Sequence, residues 1–312
     1  MNAKKVNWMY VVSFAVYLIV NFAILWYAMH NGLHSVYPLY LINELIYLVP
    51  ALLFVICSGT HLGELLEFPK IKVSTALMTV LFAFLCMPLA SVCNLFSMFF
   101  VDNTVAANSE TIMQMPFAAA FFLIAVYAPV CEEIIFRGIT FGSLKKGMNT
   151  FQAVLISAMF FALAHMNFNQ AAYAIVLGVI LALLKEATGS LRATILFHVV
   201  FNGYSVVLLY AQKYAQTFSG PETAADLVQT MTKTQYRDYM LGGISVYMVI
   251  AAVTTALAAC VLFWIAGNEG RRDRLTGIWK NRKNARGRVV CISFLLVLVL
   301  YIGMMIYDVI AG

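Results

Sequence analysis

The chain has 312 residues, of which 62% are hydrophobic and only 11% charged, with a net charge of +6 and a mean hydropathy of +0.86. This composition excludes a soluble globular enzyme and a disordered chain, and describes a polytopic membrane protein. Leu, Ile, Phe, Ala and Met fill the apolar stretches without period-2 alternation, so a β-barrel is excluded as well and the fold class is all-α, a transmembrane helical bundle.

Spanning about 30 Å of hydrocarbon takes roughly 20 apolar helical residues. The predicted runs are Trp8 to Met29, Tyr37 to Cys57, Thr75 to Phe100, Phe117 to Phe136, Phe151 to Met166, Ala171 to Leu184, Ala193 to Ala211, Leu241 to Ala266 and Val289 to Val309. About eight or nine membrane helices result. They form a single membrane domain over residues 1–312, with N-terminal helices at 8–100, a catalytic core at about 117–211 and C-terminal helices at 241–309. The first run is too long for a signal-peptide core and reads as a retained anchor.

Basic residues collect on cytoplasmic loops. With the N-terminus in the cytoplasm, all but Lys213, Lys233 and Arg237 of the 20 Lys and Arg fall on that side. Those three lie in a polar loop from Gln212 to Tyr239 that also carries Glu222, Asp226 and Asp238. The basic stretch from Arg271 to Arg288 reads as a juxtamembrane loop facing anionic lipid, not as a nucleic-acid patch. The six cysteines lie in apolar spans without ligand spacing and read as small packing residues.

Ionisable residues at bilayer depth are costly and mark functional sites. Glu44 in the second run lacks an obvious partner and reads as a helix–helix hydrogen bonder. The fourth run ends Cys131-Glu132-Glu133-Ile134-Ile135-Phe136-Arg137-Gly138. Glu133 and Arg137 share a helix face at i,i+4 and are expected to pair, in a supporting role. Glu132 points about 100° away, which frees it for acid–base work. Gly138 and Gly142 continue the helix with small residues suited to close packing.

The fifth run carries Phe161 one turn below His165, and the seventh carries His198 and Asn202 at i,i+4. Counted at 1.5 Å per residue from the cytoplasmic boundary, Glu132 stands about 20 Å up, His165 about 24 Å and His198 with Asn202 about 12 to 18 Å. Together Glu132, His165, His198 and Asn202 make a hydrolytic set. Glu132 takes a proton from water that His165 orients, while Asn202 and His198 donate to the oxyanion. His-His-Glu ligands with an open position also suit catalytic zinc, which makes Glu132, His165 and His198 the candidate ligands if a divalent metal is bound. No His-Glu-x-x-His spacing is present, so the preferred mechanism requires no cofactor.

Glu132-Glu133-x-x-x-Arg137, Phe161-x-x-x-His165 and His198-x-x-x-Asn202, in that order on separate helices, resemble the three motifs of the CPBP intramembrane proteases. That family is also called Abi and includes CAAX prenyl endopeptidases and bacteriocin-processing or immunity proteins. The resemblance covers Phe117 to Tyr210. It implies an intramembrane endopeptidase with Glu132 as base, His165, His198 and Asn202 completing the site, and Glu133 and Arg137 supporting it. The family name as metalloproteases leaves the metal question open. Implied substrates are hydrophobic, prenylated or leader-type peptides at the bilayer, in a bacterial cell membrane. The rival readings are a proton-coupled transporter and a non-catalytic immunity or scaffold protein of the same fold.

Overall fold

A computed structural model describes residues 1–32, 37–219, 231–284 and 291–311. The chain is a polytopic helical bundle. Its helices are α1 (Ala3–Asn31), α2 (Tyr37–Cys57), α3 (Leu62–Leu66), α4 (Val73–Ser97), α5 (Thr104–Ala107), α6 (Ser109–Met113) and α7 (Phe117–Lys145). They continue with α8 (Thr150–Ala164), α9 (Phe168–Thr188), α10 (Leu191–Ser219), α11 (Lys233–Asn268), α12 (Arg272–Lys280) and α13 (Ile292–Ala311). Among the described residues eight helices are long and apolar enough to cross a membrane, and α8 is a shorter apolar helix.

Large apolar side chains such as Ile19, Phe22, Ile56, Val73 and Ile292 point outward. A soluble protein would hide such a surface, whereas a bilayer solvates it. Within the bundle, α4 packs on α9, α10 and α11, α8 on α9, and α7 on α10 and α2. Small residues set the tightest approach, because a Cβ added at Gly178 would stand 2.7 Å from the Ala158 Cα. On α7, Gly138 and Gly142 receive the short helix α3, with Leu66 over the first and the Leu65 backbone over the second.

Basic side chains gather at one end of the bundle. There Lys145 pairs with Glu186, Lys146 Nζ meets Glu64 at 3.2 Å and buried Lys185 meets Glu67 at 3.4 Å. Arg271 Nε donates to the Glu186 carbonyl at 2.8 Å. These contacts tie α3, α7 and α9 together at that end.

Two expectations about loops are corrected. The segment from Gln212 to Tyr239 is not a loop throughout: α10 runs on to Ser219, and α11 begins at Lys233 behind a Thr232–Gln235 capping box. Helix ends outlast hydrocarbon, so polar composition there does not end the helix. The basic stretch after Arg271 likewise begins with a helix, α12. Glu222, Asp226, Arg286, Arg288 and the start of the last run at Val289 lie outside the described residues.

Candidate active site

The central helix α7 is not α-helical throughout. Its backbone widens to a π-helix over Phe121–Tyr127 and again over Ile134–Thr140, and the α-helical turn between them, Ala128–Glu133, carries the paired glutamates. In the π register the N–H of each residue reaches the carbonyl five residues back. Pro129 has no N–H, so the Ile124 carbonyl lacks its donor. Asn202 Nδ2, from α10, donates to that carbonyl at 3.1 Å.

Glu132 and Glu133 diverge as their helical directions require. Glu133 is fully buried; its Oε1 lies 3.0 Å from Arg137 Nη1 and accepts the Nδ1–H of His198 at 2.9 Å. The expected pairing with Arg137 is present, and a second partner joins it. Glu132 places Oε2 3.4 Å from His198 Nε2 and keeps 19% of its side chain accessible. One imidazole thus sits between two carboxylates, the inner one sealed and the outer one open.

This contact places His198 at the level of Glu132, although a count along α10 sets it lower. Counting assumes parallel, uniform helices, and α7 with its two π segments is not uniform.

Phe161, from α8, is the hub of the cluster. The Arg137 guanidinium carbon lies 4.1 Å from its ring centroid, a cation–π contact, and its edges meet His165 at 5.0 Å and His198 at 5.9 Å between centroids. His165 closes α8, and its Nδ1–H donates to the Phe161 carbonyl at 2.8 Å. A carbonyl can only accept, so Nδ1 carries the proton, and in the neutral ring Nε2 is an acceptor. Asn167 Nδ2 donates back to the His165 carbonyl at 3.0 Å, and Asn167 caps α9 through the Gln170 N–H. Asn169 Nδ2 then reaches Asn94 Oδ1 and Ser97 Oγ on α4, each at 2.9 Å.

All the sequence-singled residues of the constellation therefore enter one neighbourhood, from α7, α8 and α10. Among the described residues no three His, Cys, Asp or Glu side chains converge as a metal centre requires. His198 commits Nδ1 to Glu133 and His165 commits Nδ1 to a backbone carbonyl.

Residues 114–204 match the family model described as type II CAAX prenyl endopeptidase Rce1-like. This segment is similar to the Rce1-like CAAX protease family. It contains every residue of the Glu132, Glu133, Arg137, Phe161, His165, His198 and Asn202 cluster. Over 103 residues the chain is 30% identical to the Bacillus subtilis (strain 168) protein described as "Putative membrane peptidase YdiL", covering 32% of this chain and 42% of that protein. Over 92 residues it is 30% identical to the membrane-embedded CAAX protease MroQ of Staphylococcus aureus (strain USA300), covering 28% of this chain and 37% of that protein. The chain thus spans less than half the length of these relatives. No solved structure matches it.

Sequence reading treated Asn202 only as a donor to substrate, and its hold on Ile124 went unseen. The signal was available in Pro129, whose missing N–H leaves a carbonyl to be served. Phe161 was visible only as the residue one turn before His165. The reading of Glu44 as a helix–helix hydrogen bonder is corrected, since among the described residues no hydrogen bond or ion pair reaches it.

Proposed function

We propose that the chain is an intramembrane endopeptidase that hydrolyses a hydrophobic or membrane-associated peptide with water activated by Glu132. One observation carries the reading: of the two adjacent carboxylates, only Glu132 is accessible, and it faces an imidazole held from behind by sealed Glu133. The Rce1-like segment supports it, because it spans the same residues.

In the proposed reaction, water lies between Glu132 and the acceptor Nε2 of His165. Its oxygen attacks the scissile carbonyl carbon as Glu132 takes its proton. Charge builds on the carbonyl oxygen, where the Nε2–H of His198, in the proposed reaction an imidazolium that also keeps its Nδ1–H on Glu133, and the second N–H of the Asn202 amide act as donors. Glu133 stabilises positive charge on His198 at that moment through the Nδ1 hydrogen bond, and Arg137 holds Glu133 in place. The carbon–nitrogen bond then breaks, and Glu132 returns its proton to the departing amine. No metal takes part.

The bundle offers a route for an apolar substrate. A groove of about 340 Å³ is lined by Phe84, Phe121 and, on the stretch of α10 that also carries His198 and Asn202, by Val199, Val200, Gly203, Tyr204 and Val207. On this reading the peptide enters sideways from the bilayer. On the same reading the basic end of the bundle faces the cytoplasm, which the distribution of Lys and Arg supports, and the host membrane is bacterial, as for both relatives.

The test is the purified chain in detergent with a library of hydrophobic peptides. Cleavage by the wild-type chain and its loss in Glu132→Ala supports the proposal. Proton-coupled flux in proteoliposomes without proteolysis supports the transporter instead, and neither activity supports a non-catalytic role.

A further inference from the structure

We infer that Glu44 forms a cation-binding subsite of the active site and selects peptides that carry a positive group close to the scissile bond. The inference rests on the peptidase reading above and adds the substrate feature which that reading leaves open.

Geometry places Glu44 at the wall of the site. It lies on α2, only 9% exposed. Its neighbours three residues away on either side join α2 to the helices that carry Glu132 and His165. Tyr127 of α7 donates its hydroxyl to the Leu41 carbonyl at 3.1 Å, and Tyr47 donates to the carbonyl of Ala164, the residue before His165, at 3.3 Å. Residue 44 lies between these two tethers on α2, a helix that packs on α7.

Charge balance then makes the inference specific. Arg137 compensates Glu133, and His198 lies against Glu132, while among the described residues no cation and no hydrogen-bond donor meets Glu44. A carboxylate buried at bilayer depth without a partner is expensive. A lysine, arginine or α-ammonium group of the bound peptide supplies the missing charge, and the interaction gains strength because the cleft is shielded from water. Leaving the carboxylate unmatched penalises a neutral peptide, and an acidic one meets repulsion as well.

The experiment is a peptide series identical except at single positions flanking the scissile bond, where lysine, norleucine and glutamate are exchanged. It is run on the full chain in detergent with wild type, Glu44→Gln and Glu44→Lys, each matched for elution profile and thermal unfolding. The wild-type chain should favour lysine over norleucine by about tenfold in kcat/KM at one position. In Glu44→Gln that ratio should fall to about one, and in Glu44→Lys the preference should turn to glutamate, a gain that misfolding does not produce. Equal cleavage of all three peptides by wild type, or a lysine preference that survives in Glu44→Gln, overturns the inference and leaves the peptidase reading standing. Failure to cleave any peptide overturns the peptidase reading itself, and this inference with it.

Discussion

His198 donates its Nδ1–H to Oε1 of Glu133 at 2.9 Å, joining two helices whose residues are 65 positions apart in sequence. The bond fixes the direction of the ring, so that Nε2 turns to Glu132. Everything proposed for catalysis depends on that orientation.

Removing Glu133 should therefore damage fold and activity together. In Glu133→Gln, the buried Arg137 guanidinium loses its counter-charge and His198 its anchor. Breaking such a buried pair costs about 3 to 5 kcal/mol. Thermal unfolding in detergent should show a marked loss of stability, and double substitution with Arg137→Met should recover part of it. A Glu133→Gln chain as stable as wild type would contradict the role assigned to the pair.

Asn202→Leu strips the donor from the Ile124 carbonyl, which Pro129 cannot replace. A buried carbonyl left unpaired costs about 1 to 3 kcal/mol, and the π-helical turn above Glu132 loses its tether. The expected result is a lower unfolding temperature and faster amide exchange around Phe121–Tyr127, read by hydrogen–deuterium exchange. Unchanged exchange there would show that the bond does not hold the turn.

Gly178→Val drives a side chain into the Ala158 backbone, with the first added carbon already at 2.7 Å. Backbone cannot step aside as a flexible side chain does, so overpacking should cost about 1 to 3 kcal/mol or more. Gly138→Ala clashes with the far end of the Leu66 side chain, while its backbone neighbours stand at ordinary contact distance, and it should be milder. Comparing the two unfolding temperatures checks the ranking.

Much of the site was legible because its chemistry is local. Glu133 and Arg137 at i,i+4, and His198 and Asn202 at the same spacing, are consequences of helical geometry alone. The contact between α7 and α10 was not legible, since two π-helical stretches shift the register of α7 and no local signal but Pro129 reports them. Glu44 was visible as an odd charge, yet which helices α2 would meet is a matter of tertiary packing. Among the described residues, the eight long apolar helices and the shorter α8 fall where hydropathy sets apolar runs, whereas the extension of α10 to Ser219 does not follow from it, because a helix beyond the hydrocarbon no longer needs apolar residues.

A chelator should leave peptide cleavage within about twofold of the untreated rate, because the proposed proton transfers use side chains and water only. Inhibition by EDTA that zinc restores would move Glu132, His165 and His198 from acid–base roles to ligand roles.

The most direct test of the central claim is kcat for Glu132→Gln, an almost isosteric change that removes the base and keeps the fold. The account predicts a fall of at least about a thousandfold in kcat, with an unfolding temperature equal to that of wild type. Cleavage by Glu132→Gln at a rate close to wild type would contradict it.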